Sequence, residues 1–270
     1  MKITKMHGLG NDFILTEEVM PDYSTAAQAL CARRLSVGAD GLVVVSPSTA
    51  ADVRMRIFNA DGSEAEMCGN AIRCFARYVH DRGIVKTDMM TVETLAGIMK
   101  PQLLLEDGAV VGVRVDMGRP ELAPEKIPVL TDTPLDFEVT ADGRRFNASI
   151  VLMGVPHTVL LCDGLDEIDI EKIGSEIETN PLFPRKTNVN FAEVTAKDAV
   201  RVRTWERGAG RTLACGTGAC ATGVIARAKG LVDDTVKILV EAGELLIENM
   251  PDGRVFMTGP AAYVFEGVTL

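Results

Sequence analysis

Nowhere does this chain of 270 residues hold a run of about eighteen apolar residues, so no transmembrane helix is expected. Its first residues, Met1-Lys2-Ile3-Thr4-Lys5-Met6-His7, lack the apolar centre of a signal peptide, and a cytoplasmic location is expected. An excess of positive charge is missing as well. The formal net charge is −10, which argues against nucleic acid or an anionic membrane as a partner. Aromatic residues make up only 5%, beside 47% apolar and 24% charged residues. That balance is ordinary for a soluble globular protein, and the length suits one large or two medium domains. There are six cysteines: Cys31, Cys68, Cys74, Cys162, Cys215 and Cys220. In a cytosolic chain of this size they read as thiols, not as a disulfide framework.

Common cofactor motifs are also absent. His7-Gly8-Leu9-Gly10-Asn11-Asp12 has two glycines but lacks the third Gly and the following helix of a dinucleotide fingerprint. The glycine-rich stretch from Gly208 to Gly218 has no Lys-Ser/Thr after its last Gly, which argues against a P-loop. Cys68 and Cys74 are spaced more widely than zinc ligands usually are, and no metal is expected.

What the chain does have is one stretch used twice. Val53-Arg54-Met55-Arg56-Ile57-Phe58-Asn59 crosses a turn and reaches Cys68-Gly69-Asn70. Val200-Arg201-Val202-Arg203-Thr204-Trp205-Glu206 crosses an equal turn and reaches Cys215-Gly216-Thr217. At a constant offset of 147 residues, seven of thirty-three positions are identical, including both Cys-Gly pairs, Gly83 with Gly230, and Val85 with Val232.

The surrounding pattern repeats too. Lys2 to Met6 reads as a strand, followed by a glycine turn and a second strand. Thr25 to Leu35 has helical spacing, and Leu42 to Val45 is a continuous apolar strand. Val53, Met55 and Ile57 alternate with arginines, as a half-buried strand does, and Arg54, Arg56, Arg201 and Arg203 are expected on solvated faces. Apolar positions after Cys68 predict a helix that stops at Gly83. Thr91 to Met99 and Val110 to Val115 read as strands, with the turn between them at Asp107-Gly108. The prolines at 120, 124 and 128 mark a boundary, after which Ile168 to Ile177 is a helix and the helix following Cys215 ends near Gly230. The expected fold class is α+β: two pseudo-symmetric domains of similar topology with the active site in the cleft between them.

Each copy puts a cysteine where a helix begins. Unpaired backbone N–H groups and the dipole there favour an anion, so the thiol is expected to ionise more readily than usual. Two such helix starts facing each other would hold a carboxylate and place one thiol on each face of its Cα. One thiolate would remove the α-proton and the other thiol would deliver one to the opposite face, inverting the centre. Cys68 and Cys215 are therefore the candidate catalytic pair, while Cys31, Cys74, Cys162 and Cys220 are read as core.

The motifs His7-Gly8-Leu9-Gly10-Asn11-Asp12-Phe13, Asn59-Ala60-Asp61-Gly62-Ser63-Glu64, Cys68-Gly69-Asn70 and Glu206-Arg207-Gly208-Ala209-Gly210 through Cys220 resemble the diaminopimelate epimerase family. The resemblance spans the chain in order. It implies a cofactor-independent isomerase that interconverts LL- and meso-diaminopimelate on the route to lysine and peptidoglycan. It implies substrate contacts at Asn11, Asn59, Asn188, Glu206 and Arg207, and carboxylate-binding segments at Gly69-Asn70 and Gly216-Thr217. His157 and Glu206 match the family residues that support the thiols. It also implies a cleft that closes on substrate, a homodimer, and domains of 1–117 with 259–270 and of 118–258. Arg207 suits a second carboxylate bound bidentately, and Asn59 and Asn188 each offer both donor and acceptor.

The chain departs from the family at Val155, where Asn is frequent, at Gly41, where Gln is, and at Ala71, where Gly is. These departures bear on substrate contacts, and a racemase of another amino acid such as histidine is the alternative reading. A ligand-binding protein without catalysis would have no use for two mirrored thiols.

Overall fold

A computed structural model describes residues 1–269. It divides into two compact units, Met1–Asp116 with the residues from Thr258 onward, and Met117–Met257.

The first unit begins with β1 (Lys2–Gly8) and β2 (Asn11–Thr16), antiparallel across a turn in which Leu9 and Gly10 have φ of 57° and 87°. Helix α1 (Tyr23–Cys31) carries the chain to β3 (Gly41–Ser46), parallel to β2. Then come β4 (Val53–Asn59), antiparallel to β3, and the short β5 (Glu64–Ala65), which pairs with β4. Helix α2 (Gly69–Asp81) leads to β6 (Val92–Thr94), parallel to β4, and to its antiparallel partner β7 (Gly97–Met99). A hairpin of β8 (Gln102–Glu106) and β9 (Ala109–Asp116) follows. The alternation in β4 is real: Val53, Met55 and Ile57 are buried and Arg54 and Arg56 half-buried. Leu42 and Val44 face a core with Ile14, Ala27, Cys31 and Phe58, beneath α1.

The second unit repeats this order. It has β10 (Phe137–Ala141), β11 (Arg144–Met153), β12 (Val155–Leu161), α3 (Ile170–Glu178), β13 (Asn188–Ala196), β14 (Ala199–Glu206) and β15 (Gly210–Thr212). Helix α4 (Gly216–Ala228), β16 (Thr235–Val240), β17 (Gly243–Asn249) and β18 (Val255–Gly259) complete it. The pairings match those of the first unit in sense. β11–β12 is antiparallel, β12–β13 parallel, β13–β14 antiparallel, β14–β16 parallel and β16–β17 antiparallel. The chain's last described strand, β19 (Ala262–Val268), belongs to the first unit and pairs antiparallel with β1, as β10 pairs with β11. The fold is thus α+β, with four α-helices among the described residues and two halves of like topology. None of those helices is long and apolar enough to cross a membrane.

Several sequence expectations shift. The helix expected over 25–35 spans Tyr23–Cys31, because Ala32 turns to extended ψ of 102° and Arg33 is tied to Asp12 and Asp40. Leu35 is left 91% exposed. The stretch 91–99 is two short strands, not one, folded back at Gly97, whose φ is 109°. Strand β8, not residues 91–99, pairs across the Asp107-Gly108 turn; its burial hardly alternates, so the pattern is weak. Arg56 is more than a solvated residue. It donates twice to Glu64, at 2.7 and 2.9 Å, and lies 4.8 Å from the Phe58 ring.

Candidate active site

Four helices begin in two ways. α1 and α3 start on Asp22 and Asp169, whose carboxylates accept from N–H groups of the first turn. α2 and α4 start on Cys68 and Cys215, and neither cysteine side chain makes a cap bond. The two Cys-led helices are thirteen residues each. Their first helical bonds are equivalent, Ile72 N–H to Cys68 O and Ala219 N–H to Cys215 O, both 2.9 Å. Both stop at a glycine with φ of 69°, Gly83 or Gly230. The N–H groups of Gly69, Asn70 and Ala71, and of Gly216, Thr217 and Gly218, precede those first bonds and so have no partner within their helices. No acidic residue sits in either first turn. Such an end is built to receive an anion.

In the first unit, Cys68 Sγ donates to Asn11 Oδ1 at 3.8 Å, and Asn70 Nδ2 donates to the same oxygen at 3.0 Å. Asn11 Nδ2 in turn donates to Asp40 Oδ2 at 2.7 Å. A carboxylate only accepts, so Asp40 decides which end of the Asn11 amide faces Cys68. Asp12 and Asp40 share Arg33, and Asp12 also pairs with Lys5 at 2.7 Å. Burial alone would raise the Asp12 carboxyl, but hydrogen bonds from Arg33 and Lys5 outweigh it and hold the pKa at about 2. Asn70 Oδ1 is buried and has no hydrogen-bond partner among the described residues. Asn59 ends β4, exposed, and donates to Ser63 Oγ at 2.9 Å within its own turn.

In the second unit, Cys215 is 5% exposed and its Sγ lies 3.5 Å from Thr217 Oγ1. The expected readiness to ionise is not found here. Burial, and next the Glu206 carboxylate, push the Cys215 thiol well above its ordinary range. The Thr217 hydroxyl and the Gly218 N–H pull the other way and do not prevail. Glu206 accepts from Thr212 Oγ1 at 2.6 Å. Asn188 bridges β12 and the turn after β14: its Nδ2 donates to Pro156 O at 3.0 Å, and its Oδ1 accepts from Arg207 N–H at 2.9 Å. The Arg207 guanidinium donates to Arg185 O at 2.9 Å. His157 pairs in register with Asn188 and is wholly buried. Burial, with a smaller push from Arg207, lowers its pKa to about 3, so the ring is neutral.

Asn11, Cys68, Gly69 and Asn70 thus form one cluster, while Asn59 keeps to its turn. Cys215, Glu206 and Thr217 form a second cluster, beside which Asn188 ties Arg207 to the His157 strand. Two residues escaped the sequence reading: Asp40, which orients Asn11, and Asn190, whose Nδ2 lies 3.2 Å from His157 Nδ1. A signal for Asn190 existed. Asn188 and Asn190 recur two apart, interleaved with the apolar Val189 and Phe191, so both fall on one face of the strand.

The duplicated α+β fold is shared with a PhzF-family phenazine biosynthesis protein from Bacillus anthracis. The TM-score is 0.72 at 16% identity, covering 100% of this chain and 99% of that one. It is also shared with a hydroxyproline epimerase from Agrobacterium vitis solved with trans-4-OH-L-proline. There the TM-score is 0.68 at 16% identity, covering 99% and 91%. In fold, then, the chain is one of a class of two-unit α+β proteins. The family model for diaminopimelate epimerase matches residues 3–123 and 149–264. A diaminopimelate epimerase from Desulfitobacterium hafniense is 51% identical, covering 100% of this chain and 98% of that one. Another, from Moorella thermoacetica, is 50% identical, covering 99% and 98%. The chain belongs to the diaminopimelate epimerase family.

Proposed function

We propose that the chain interconverts LL- and meso-2,6-diaminopimelate, with Cys68 and Cys215 as the two acid–base groups. The observation that carries this reading is the pair of uncapped helix starts, each led by a cysteine at the equivalent place in one of two like units. One thiolate takes the α-proton, and the electron pair left on Cα spreads into the adjoining carboxylate. The other thiol then delivers its proton to the opposite face. After one turnover the two sulfurs have exchanged protonation states, which suits a reversible reaction.

Backbone N–H groups of Gly69-Asn70 and Gly216-Thr217 stabilise the charge that builds on the carboxylate, in place of a cofactor. The Glu206 carboxylate opposes ionisation of Cys215 and keeps its thiol charged with a proton, ready to act as an acid. Arg207, Glu206, Asn59 and Asn188 recognise the distal amino-acid end. His157, neutral and buried, supports the thiol chemistry. This activity places the chain in lysine and peptidoglycan precursor synthesis, in the cytoplasm. A homodimer is part of the reading: Val264, Phe265 and Val268 are exposed on β19, an edge strand, where another copy would cover them.

Incubation in D2O under reducing conditions tests the reaction. The α-proton NMR signal of LL- or meso-diaminopimelate should be lost, and those of histidine and proline should persist. Exchange on histidine instead would move the activity to a racemase, with Val155 as the first residue to examine. No exchange on any amino acid would sink both readings. Cys68→Ala and Cys215→Ala should each lower kcat by about 10²–10⁴-fold with the unfolding midpoint retained. Turnover near wild type in either variant would reject the two-thiol assignment.

A further inference from the structure

Asn190 is fully buried, so the polar atoms of its amide have to find partners inside the protein. Its Nδ2 lies 3.2 Å from the Thr158 carbonyl oxygen, which only accepts. That contact sets the orientation of the amide, because the flipped form would bring two oxygens together. Thr204 Oγ1, 3.1 Å from Asn190 Oδ1, completes the arrangement by donating to it. The second Nδ2 proton is then directed at His157 Nδ1, 3.2 Å away. An N–H donor at that distance requires a lone pair on Nδ1.

His157 is 0% exposed and its ring is neutral, so it carries a single proton. With Nδ1 accepting, that proton is on Nε2. Nε2 is buried and has no hydrogen-bond partner among the described residues. A buried N–H donor held without a partner costs free energy, on the order of 1–3 kcal/mol, and is kept where a function uses it.

The same asparagine bears on the reacting cysteine's helix. A Cβ built on Gly218 would lie 2.3 Å from Asn190 Oδ1 and 3.3 Å from Cys215 Sγ. Asn190 therefore packs directly against the first turn of α4 while it holds the histidine.

We propose that Asn190 is a positioning residue that fixes His157 as the Nε2–H tautomer, making it a hydrogen-bond donor to the reacting groups and not a proton acceptor. The inference rests on the epimerase reading for what the donor serves, but not for the tautomer itself. A donor at Nε2 stabilises negative charge on a sulfur or carboxylate without entering the proton count. The two thiols remain the only groups that exchange protons with Cα.

The test is nitrogen NMR of the protein labelled with 15N-histidine. The chain has three histidines, and the His157 signals are those lost in His157→Gln. In the unaltered protein at neutral pH, Nε2 should show the protonated signature and Nδ1 the unprotonated one. The pattern should not change down to pH 5. A protonated Nδ1, or a mixture of the two forms, would overturn the assignment. Asn190→Asp places an acceptor against Nδ1 and should switch the tautomer, lowering kcat at least about tenfold with KM within about threefold. Asn190→Leu removes the donor without adding charge and should give mixed tautomers with an intermediate loss of kcat. This second variant covers the case in which the aspartate variant does not fold. Full kcat in both variants, or turnover with His157 protonated on Nδ1, would overturn the positioning role alone. The expected tautomer in a protein that exchanges no diaminopimelate α-proton would overturn the epimerase reading, and with it the service Asn190 performs.

Discussion

The first unit sets Cys68 against an amide that a charged cluster orients, whereas the second buries Cys215 between the Thr217 hydroxyl and the Glu206 carboxylate. Strand register makes the two surroundings comparable. Phe13 pairs with Gly41 in β2–β3, and His157 pairs with Asn188 in β12–β13. His157 therefore stands where the first unit has Phe13, Val155 where it has Asn11, and Thr187 where it has Asp40. Asn11 is oriented by Asp40, which shares Arg33 with Asp12. Thr187 instead bonds to Thr158 at 2.9 Å within a sealed set of hydroxyls and carbonyls. The backbone repeat fixes where each thiol sits, because a helix start is a backbone feature. It does not fix what surrounds the thiol, because that is decided by side chains at strand ends.

One exchange breaks the comparison most sharply. Gly218 and Ala71 are equivalent by the offset of 147 residues, yet a Cβ is housed at the fully buried Ala71 while one at Gly218 would strike Asn190. Gly218→Ala should cost about 1–3 kcal/mol and, by moving the Cys215 turn, about 100-fold in kcat. Ala71→Gly should cost about 1 kcal/mol through helix propensity and leave kcat within a few-fold. Urea unfolding and steady-state turnover read both. Equal effects would mean that the two starts are more alike than their neighbours suggest.

Acid should separate the two kinds of support. His157 has a folded pKa of about 3 against an ordinary 6.5, so the unfolded chain binds its proton first. The stability tied to a neutral His157 is intact above about pH 6.5 and is lost as pH falls toward 3, at up to about 1.4 kcal/mol per pH unit. Asp12, held at about 2 against 3.8, keeps its contribution above 3.8 and loses it as pH falls toward 2. Unfolding free energy followed against pH should therefore lose slope between 6.5 and 3 in His157→Gln, and only below about 3.8 in Asp12→Asn. The reverse order would show that the neutral set is not what the histidine stabilises.

The smallest effect concerns the capped helices. Asp169→Ala should cost about 1 kcal/mol of stability and leave kcat unchanged, since α3 starts on a conventional side-chain cap and not on a cysteine. A fall in kcat would tie α3 to the site and blur the division between capped and Cys-led helices.

Much of this was legible in the sequence, and the reason lies in periodicity. The offset of 147 residues anticipated two equal helices with matching stops because apolar spacing and glycine are local signals. Asp40 carries no local signal of its role, because its carboxylate governs an amide twenty-nine residues away in sequence. The elevated Cys215 thiol also escaped, because helix-end electrostatics is a local property and burial is not. The end of α1 went astray where a tertiary ion pair, at Arg33, overrode apolar spacing.

Pairing of β1 with β19 has a consequence for the order of events during synthesis. Met1 N donates to Thr269 O across a sequence separation of 268, and residues 262–268 leave the ribosome after the whole second unit has been made. The second unit is contiguous and is free to fold as it emerges. The first must hold β1 with one edge unpaired throughout that interval. The unit translated first is therefore the one finished last.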